Sequence, residues 1–167
     1  MGERWKPSVT VAAIASRWRG ATLEFLIVEE ETAEGLMLNN PAGHLEEGES
    51  PVQAVVREML EETACGFVPE RLVGIYLART VRPAIGDDVT YLRFAFAGAA
   101  GAPDPLRRLD AGIVATHWLS LEAVRASRHR HRSPLVLHCI EDAAAGRSLP
   151  LDAIVVDASV TAPRAKR

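Results

Sequence analysis

A chain of 167 residues, 48% hydrophobic and 25% charged, has the size and mix of one globular domain, with enough apolar surface to bury that no disulfide staple is needed. Its 19 basic and 22 acidic residues leave a net charge of −3, which excludes bulk attraction to nucleic acid and requires local groups to hold any anionic substrate. Cys65 and Cys139 form no CxxC pair or disulfide framework, no apolar run reaches the roughly 18 residues of a membrane span, and the first residues lack a secretory core, so a cytoplasmic protein with reduced thiols and no membrane partner is expected.

Residues 8–17 (SVTVAAIASR) are small and β-branched and predict a strand, 18–21 a turn, and 22–29 (TLEFLIVE) a second strand in a hairpin with the first. An acidic turn over 30–35 leads to a short extended piece at 36–39. Residues 40–44 (NPAGH) are expected to be irregular, because Pro41 disfavours helix at Asn40 and Gly43 admits unusual dihedrals. A helix follows. Ser50 is its N-cap, Pro51 its first residue and Gln53 completes a capping-box spacing. Ala54, Val55, Met59 and Leu60 form its apolar stripe, and it ends near 63–65 with Gly66 as a left-handed cap.

A turn around 69–71 precedes a strand to 79; 82–88 is a loop with Pro83 and Gly86; 89–96 (VTYLRFAF) is a strand; 98–105 is a Gly/Ala/Pro loop. A strand at 112–119, a short helix from Ser120, a last helix from Ser133-Pro134 to about 145, and an extended 149–156 complete the pattern, with a frayed tail from Thr161. Strands around few helices, without repeat or linker, predict a single α/β (α+β) domain. Its expected bounds are 8–156, between an N-terminal extension (1–7) and a flexible C-terminal tail (157–167).

In the run 57–62 (REMLEE) a helix stacks Glu58, Glu61 and Glu62 on one side, since positions i, i+3 and i+4 are neighbours. Stacked carboxylates repel by about 0.2–0.5 kcal/mol per pair, and a divalent cation among them offsets that. Hard, strongly negative oxygen ligands suit Mg²⁺, Mn²⁺ or Ca²⁺, and such a site points to phosphate chemistry. A solvated helix face explains the three acids alone equally well; the register of Gly43, Glu49 and Arg57 with them decides for a site. Arg57 lies one residue off the acid face, within reach of Glu61 at i+4 or of Glu49, which braces the preceding loop or assists a catalytic carboxylate. A backbone carbonyl from 40–43 can add an oxygen ligand.

Gly43, five residues, Glu49, seven residues, then Arg57-Glu58-Met59-Leu60-Glu61-Glu62 resembles the Nudix box, the loop–helix–loop signature of the Nudix hydrolase family. The resemblance implies a mixed β-sheet sandwiched between helices and hydrolysis of a nucleoside diphosphate linked to another group. The cofactor it implies is Mg²⁺, with Mn²⁺ as a substitute. It points to Glu58, Glu61, Glu62 and the Ala42 carbonyl as metal ligands. Glu61 or Glu62 is the expected base, with Arg57 and Glu49 as the other catalytic groups. Some members use an acid from a later loop, and Asp87, Asp88 and Asp110 are the candidates here. The box normally continues with glycine after Glu-Glu-x. This chain has Ala64 there, so Gly66 is expected to take over the cap.

Short stretches outside the box (9–12, 28–30, 40–46, 92–94 and 132–136) are similar to the bacterial NudJ phosphatase group of that family. This likeness implies hydroxymethylpyrimidine pyrophosphate and nucleoside di- and triphosphates as substrates, with release of inorganic phosphate. Leu38 stands where that group has Trp, which changes how a ring is stacked. Asn40, with Asn39, is the expected contact to a ring edge. Arg93 either reaches a phosphate or faces solvent from its strand. Glu29 and Glu30 are expected to be an acidic strand end, and 128–132 (RHRHR) an exposed loop rather than a nucleic-acid patch. The expected partner is a small nucleotide or pyrophosphate, and the assembly a monomer or homodimer. Two alternatives remain open. One is a pool-cleansing pyrophosphohydrolase acting on nucleoside triphosphates; the other is a non-catalytic nucleotide sensor, against which the intact acids speak.

Overall fold

The computed structural model describes residues 4–82 and 86–162. The expectations for residues 1–3, for Pro83 and for the tail beyond 162 lie outside them. Strands β1 (Ser8–Arg19), β2 (Thr22–Thr32), β3 (Gly35–Asn39), β4 (Ala42–His44), β5 (Cys65–Arg82), β6 (Asp87–Pro103) and β7 (Ile113–Ser120) combine with helices α1 (Pro51–Thr63), α2 (Leu121–Ala126) and α3 (Leu135–Ala144). None of these helices is long and apolar enough to cross a membrane.

The first strand organises the rest. Its N-terminal part pairs in parallel with β6, from Ser8 with Tyr91 to Ala15 with Gly98. Its C-terminal part forms the antiparallel hairpin with β2, and its middle pairs with β4. β2 continues the sheet to β3 and β7, and β5 lies outside β6. Alternate residues of β1 feed opposite cores, because strand side chains alternate in direction. Val11, Ala13 and Ala15 pack with Ala54, Val55 and Met59 of α1. Ile14 packs on the other face with Val124 of α2 and with Leu135, Cys139 and Ile140 of α3. The mixed sheet between helices is therefore the fold adopted. Cys65 and Cys139 are free, buried packing residues.

Several expected loops are strand instead. The turn at 69–71 is a bulge within β5, where the register shifts between Pro69 and Arg71. The Gly/Ala/Pro segment after residue 97 continues β6 to Pro103 against the start of β5. Its small side chains permit close approach: a Cβ on Gly98 would lie 2.1 Å from the Val68 carbonyl oxygen. Residues 42–44 form β4, and 30–32 belong to β2. The extended piece at 149–156 shrinks to one bridge, Leu149 with Leu72, before a 3₁₀ turn over Leu151–Ala153.

Helix α1 starts as its sequence dictates. The Ser50 hydroxyl accepts from Gln53 N at 3.2 Å, and the Gln53 side-chain oxygen accepts from Ser50 N at 2.8 Å. Its end differs from expectation. Ala64 itself takes the left-handed cap, with φ 57, and Gly66 is not in that region. Ala64 N–H donates to Leu60 O at 3.0 Å, its carbonyl accepts from Asp104 N at 2.9 Å, and the Thr63 hydroxyl accepts from Cys65 N at 3.1 Å. These bonds fix the turn where it is, although a left-handed alanine costs about 1–2 kcal/mol. Ala64→Gly is therefore expected to stabilise the fold by about 1 kcal/mol and raise Tm by roughly 2–4 °C in scanning calorimetry. A lower Tm would show that the buried methyl group contributes more than the strain removes.

Candidate active site

Arg57 ties the second half of α1 to β4. Its Nε and Nη2 donate to the two oxygens of Glu49 at 3.1 and 2.7 Å, Nη1 donates to Glu58 at 2.8 Å and Glu61 at 3.0 Å, and Nη2 also reaches His44 O at 2.9 Å. Both expected partners, Glu49 and Glu61, are engaged at once, and Glu58 joins them. Glu49 also accepts from Glu46 N at 2.8 Å, so it braces the loop as expected. The Arg57 guanidinium holds Glu49 below the usual carboxylate range, and these carboxylates raise the pKa of Arg57 in turn.

The strand geometry of β4 aims backbone groups at the acids. Pro41 O turns to Ala13 N of β1, whereas His44 O turns to Arg57. Along a strand such groups alternate. Ala42, two residues before His44, therefore presents its N–H and C=O on the outer edge as well, and its N–H donates to Glu62 at 2.8 Å. Gly43 has a separate requirement: a Cβ there would fall 2.1 Å from Oε1 of Glu58. Only glycine lets the Glu58 carboxylate rest on the backbone.

Glu62 is 8% exposed and pushed up to about 8, chiefly by burial, against which the Ala42 N–H acts; Glu30, Glu58 and Asp110 add repulsion. Burial also raises Glu58, with Arg57 opposing and Glu61 and Asp110 reinforcing. Asp110 N donates to Glu61 O at 3.0 Å, so the structure brings this later-loop acid to the cluster. Asp87 and Asp88 instead pair with Arg82 and Arg79 on the β5–β6 hairpin. Among the described residues, no three acidic, histidine or cysteine side chains converge closely enough to hold an ion as arranged, because the Arg57 guanidinium bridges Glu58 and Glu61. The donor set nevertheless fits a hard divalent ion: Glu62 is a buried carboxylate that accepts one backbone hydrogen bond, with the charge of Arg93 acting on it across the cavity, and it lies beside the outward edge of Ala42.

A cavity of about 160 Å³ opens beside Glu62, walled by Gly43, Thr10, Asn39, Arg93 and Ser133 among others. Arg93 is 7% exposed, because β6 lies between β1 and β5, so the solvent-facing alternative is excluded. Asn40 does not line the cavity. Its Nδ2 lies 3.5 Å from Val136 O in the core beside α3, and Asn39 takes the expected place. Strand alternation was the available signal, since Leu38 is buried in the core and Asn39 must face the other way. Glu30 also turns into the cavity, contrary to expectation, accepting from Asn39 Nδ2 at 2.8 Å and pairing with Arg132 at 3.1 Å. Glu29 pairs with His117 and Arg130. The 128–132 segment is thus anchored to the acidic end of β2 rather than only exposed.

The family model for the NUDIX domain matches residues 6–138. The chain is 34% identical over 150 residues to a phosphatase NudJ of Escherichia coli strain K12, covering 90% of this chain and 92% of that one. A NUDIX hydrolase from Nitrosomonas europaea superposes with a TM-score of 0.80 at 46% identity, over 91% of this chain and 98% of that one. The NUDIX domain of Shewanella oneidensis NrtR, complexed with ADP ribose, shares the fold at a TM-score of 0.66 and 18% identity, over 86% and 90% of the two chains. The box residues assembled by α1 and β4 agree with these likenesses, and the chain belongs to the Nudix family of hydrolases.

Proposed function

We propose that this Nudix hydrolase cleaves phosphoanhydride bonds of hydroxymethylpyrimidine pyrophosphate and of nucleoside di- and triphosphates, with Mg²⁺ as cofactor and Mn²⁺ as a substitute, in the cytoplasm. The observation that carries this is Glu62, a buried carboxylate that accepts from the Ala42 backbone N–H and faces a polar cavity. Glu58, Glu61, Glu62 and the Ala42 carbonyl would hold the ion. When bound, it neutralises the pyrophosphate and lowers the pKa of the attacking water.

The chain's own groups do the rest. Glu62 or Glu61 accepts the proton of that water, with Asp110 adding negative charge nearby. Arg57 transfers no proton of its own. It fixes the directions of Glu49, Glu58 and Glu61, so the carboxylates are set before substrate arrives. Arg93, with Asn39, meets the substrate from the cavity. The functional domain is taken as 8–156, because Leu151 and Ile154 pack on the core that α1 covers.

Phosphate release with and without EDTA tests the proposal, with inorganic phosphate and pyrophosphate measured separately. Metal-dependent release of inorganic phosphate is the expected result. Pyrophosphate alone, from nucleoside triphosphates, would favour the pool-cleansing activity. Tight nucleotide binding with no release at any metal concentration would leave only a sensor.

A further inference from the structure

We propose that the substrate carries a second phosphate group, separate from the scissile anhydride, and that this group is seated in a basic groove beside the catalytic cavity. The proposal rests on the hydrolase activity proposed above. It adds a phosphomonoester to the part of the substrate remote from the cleaved bond.

The first support is the position of the groove. It measures about 610 Å³ and lies between the end of β5 and the segment that joins α2 to α3. Thr80, Arg82, Arg132 and Ser133 wall both this groove and the cavity beside Glu62, so one molecule can occupy the two. Glu62 walls the cavity but not the groove. An anhydride held by ions at Glu62 therefore leaves the groove to another part of the substrate.

The second support is charge. Arg79, Arg82, Arg128 and Arg132 wall the groove, and among its described walls the only carboxylate is Glu34. The cavity is mixed instead, with Glu30 and Glu62 facing Arg82, Arg93 and Arg132. An added anion is thus better placed in the groove than beside Glu62. Three of the groove arginines are held by carboxylates outside its wall: Arg79 by Asp88, Arg82 by Asp87 and Arg132 by Glu30. Glu34 stands 3.7 Å from Arg82. A guanidinium has five N–H donors, more than one carboxylate occupies, so these pairs orient the arginines and leave donors for a ligand. Arg128 is exposed and has no carboxylate partner among the described residues. Its charge is felt at His131: burial lowers the pKa of that imidazole, the Val124 backbone opposes, and Arg128 and His129 push it further down.

The third support is the junction of groove and cavity. The Ser133 hydroxyl is buried there without a hydrogen-bond partner among the described residues, and buried polar groups are ordinarily satisfied. Helix α3 starts just beyond it without a side-chain cap, which adds a positive helix end. Several guanidiniums and a hydroxyl around one seat suit a dianion with three free oxygens better than a carboxylate with two.

Adenosine monophosphate, and the same nucleotide with a further phosphate on the 2′ or the 3′ oxygen of its ribose, probe the groove without hydrolysis, by calorimetry in EDTA. Wild type is expected to bind at least one bisphosphate about tenfold or more tightly than the monophosphate. Arg128→Glu should cut that advantage to about twofold or less and leave monophosphate binding within about twofold, whereas Arg128→Lys should keep most of the advantage. Both variants change an exposed side chain, and the fold is expected to hold. With Mg²⁺, adenosine triphosphate bearing the same extra phosphate should show a KM about tenfold below that of the plain nucleotide, a difference lost in Arg128→Glu.

Equal affinity for all three nucleotides, binding of none of them, or an advantage that survives Arg128→Glu would overturn the proposal. Inorganic phosphate is the control for a free anion. If it binds as tightly as the bisphosphates and Arg128→Glu abolishes that binding, the groove holds a free ion and the second phosphate on the substrate is wrong. Should wild type bind a bisphosphate as expected and hydrolyse nothing, the hydrolase activity fails alone and the groove stands.

Discussion

Glu62→Gln is expected to lower kcat at least about 10²-fold while making the metal-free protein more stable than wild type at pH 8. Gln keeps the shape and can still accept from Ala42 N, which lies 2.8 Å from the Glu62 carboxylate, but it can neither carry a proton away nor bind a cation strongly. The stability effect follows from the raised pKa. Folding lifts Glu62 from 4.5 to about 8, so the folded state binds its proton more tightly than the unfolded state does. That preference is fully present below about pH 4.5 and is lost as pH rises through about 8. Wild type and Gln variant should therefore match near pH 4 and diverge upward, by a few kcal/mol at most once Glu62 is ionised. Mg²⁺ should stabilise wild type far more than the variant. Urea unfolding in EDTA at several pH values, paired with steady-state kinetics, checks both halves. Near-normal turnover would remove Glu62 from the chemistry, and a pH-independent stability difference would mean that its charge is already compensated.

Arg57→Lys is expected to reduce kcat/KM by about 10–100-fold and to raise the Mg²⁺ concentration needed for half-maximal rate. The guanidinium serves Glu49, Glu58, Glu61 and His44 O from one rigid plane. An ammonium reaches one or two of them and holds no plane. The freed carboxylates then repel each other, and the loop that Glu49 braces loses its anchor. A stability loss on the order of 2 kcal/mol accompanies this, since charge-assisted bonds among half-buried groups are broken. A metal titration of rate separates the outcomes. If the lysine variant sustains wild-type kcat/KM, a positive charge suffices and the fork is incidental.

Local chemistry is legible from residues and distant pairing is not. The start of α1 can be read from Ser50, Pro51 and Gln53, because a cap is a contact between residues a few positions apart. The acid face follows from helical period alone, and the Arg57–Glu49 brace from its spacing. The continuation of β6 past Ala97 is hidden, because what makes it a strand is the Val68 backbone against Gly98. The cap at Ala64 escapes for a related reason: conformational preference favours Gly66, while bonds from Leu60, Thr63 and Asp104 hold the turn one residue after the helix. Asn39 is separated from Asn40 only when alternation is carried through the short strand β3. Asp110 cannot be ranked above Asp87 and Asp88 until the chain brings its loop back to α1.

The divided allegiance of β1 sets an order of events during synthesis. Its hairpin with β2 and its bridge to β4 use partners made within a few dozen residues. Its parallel neighbour arrives only with Tyr91 to Gly98, several seconds later at typical translation speed. Until then one flank of an apolar strand, from Val11 to Ala15, has no permanent mate. The nascent chain thus carries a sticky edge on the ribosome, and early release would favour self-association over the native closure.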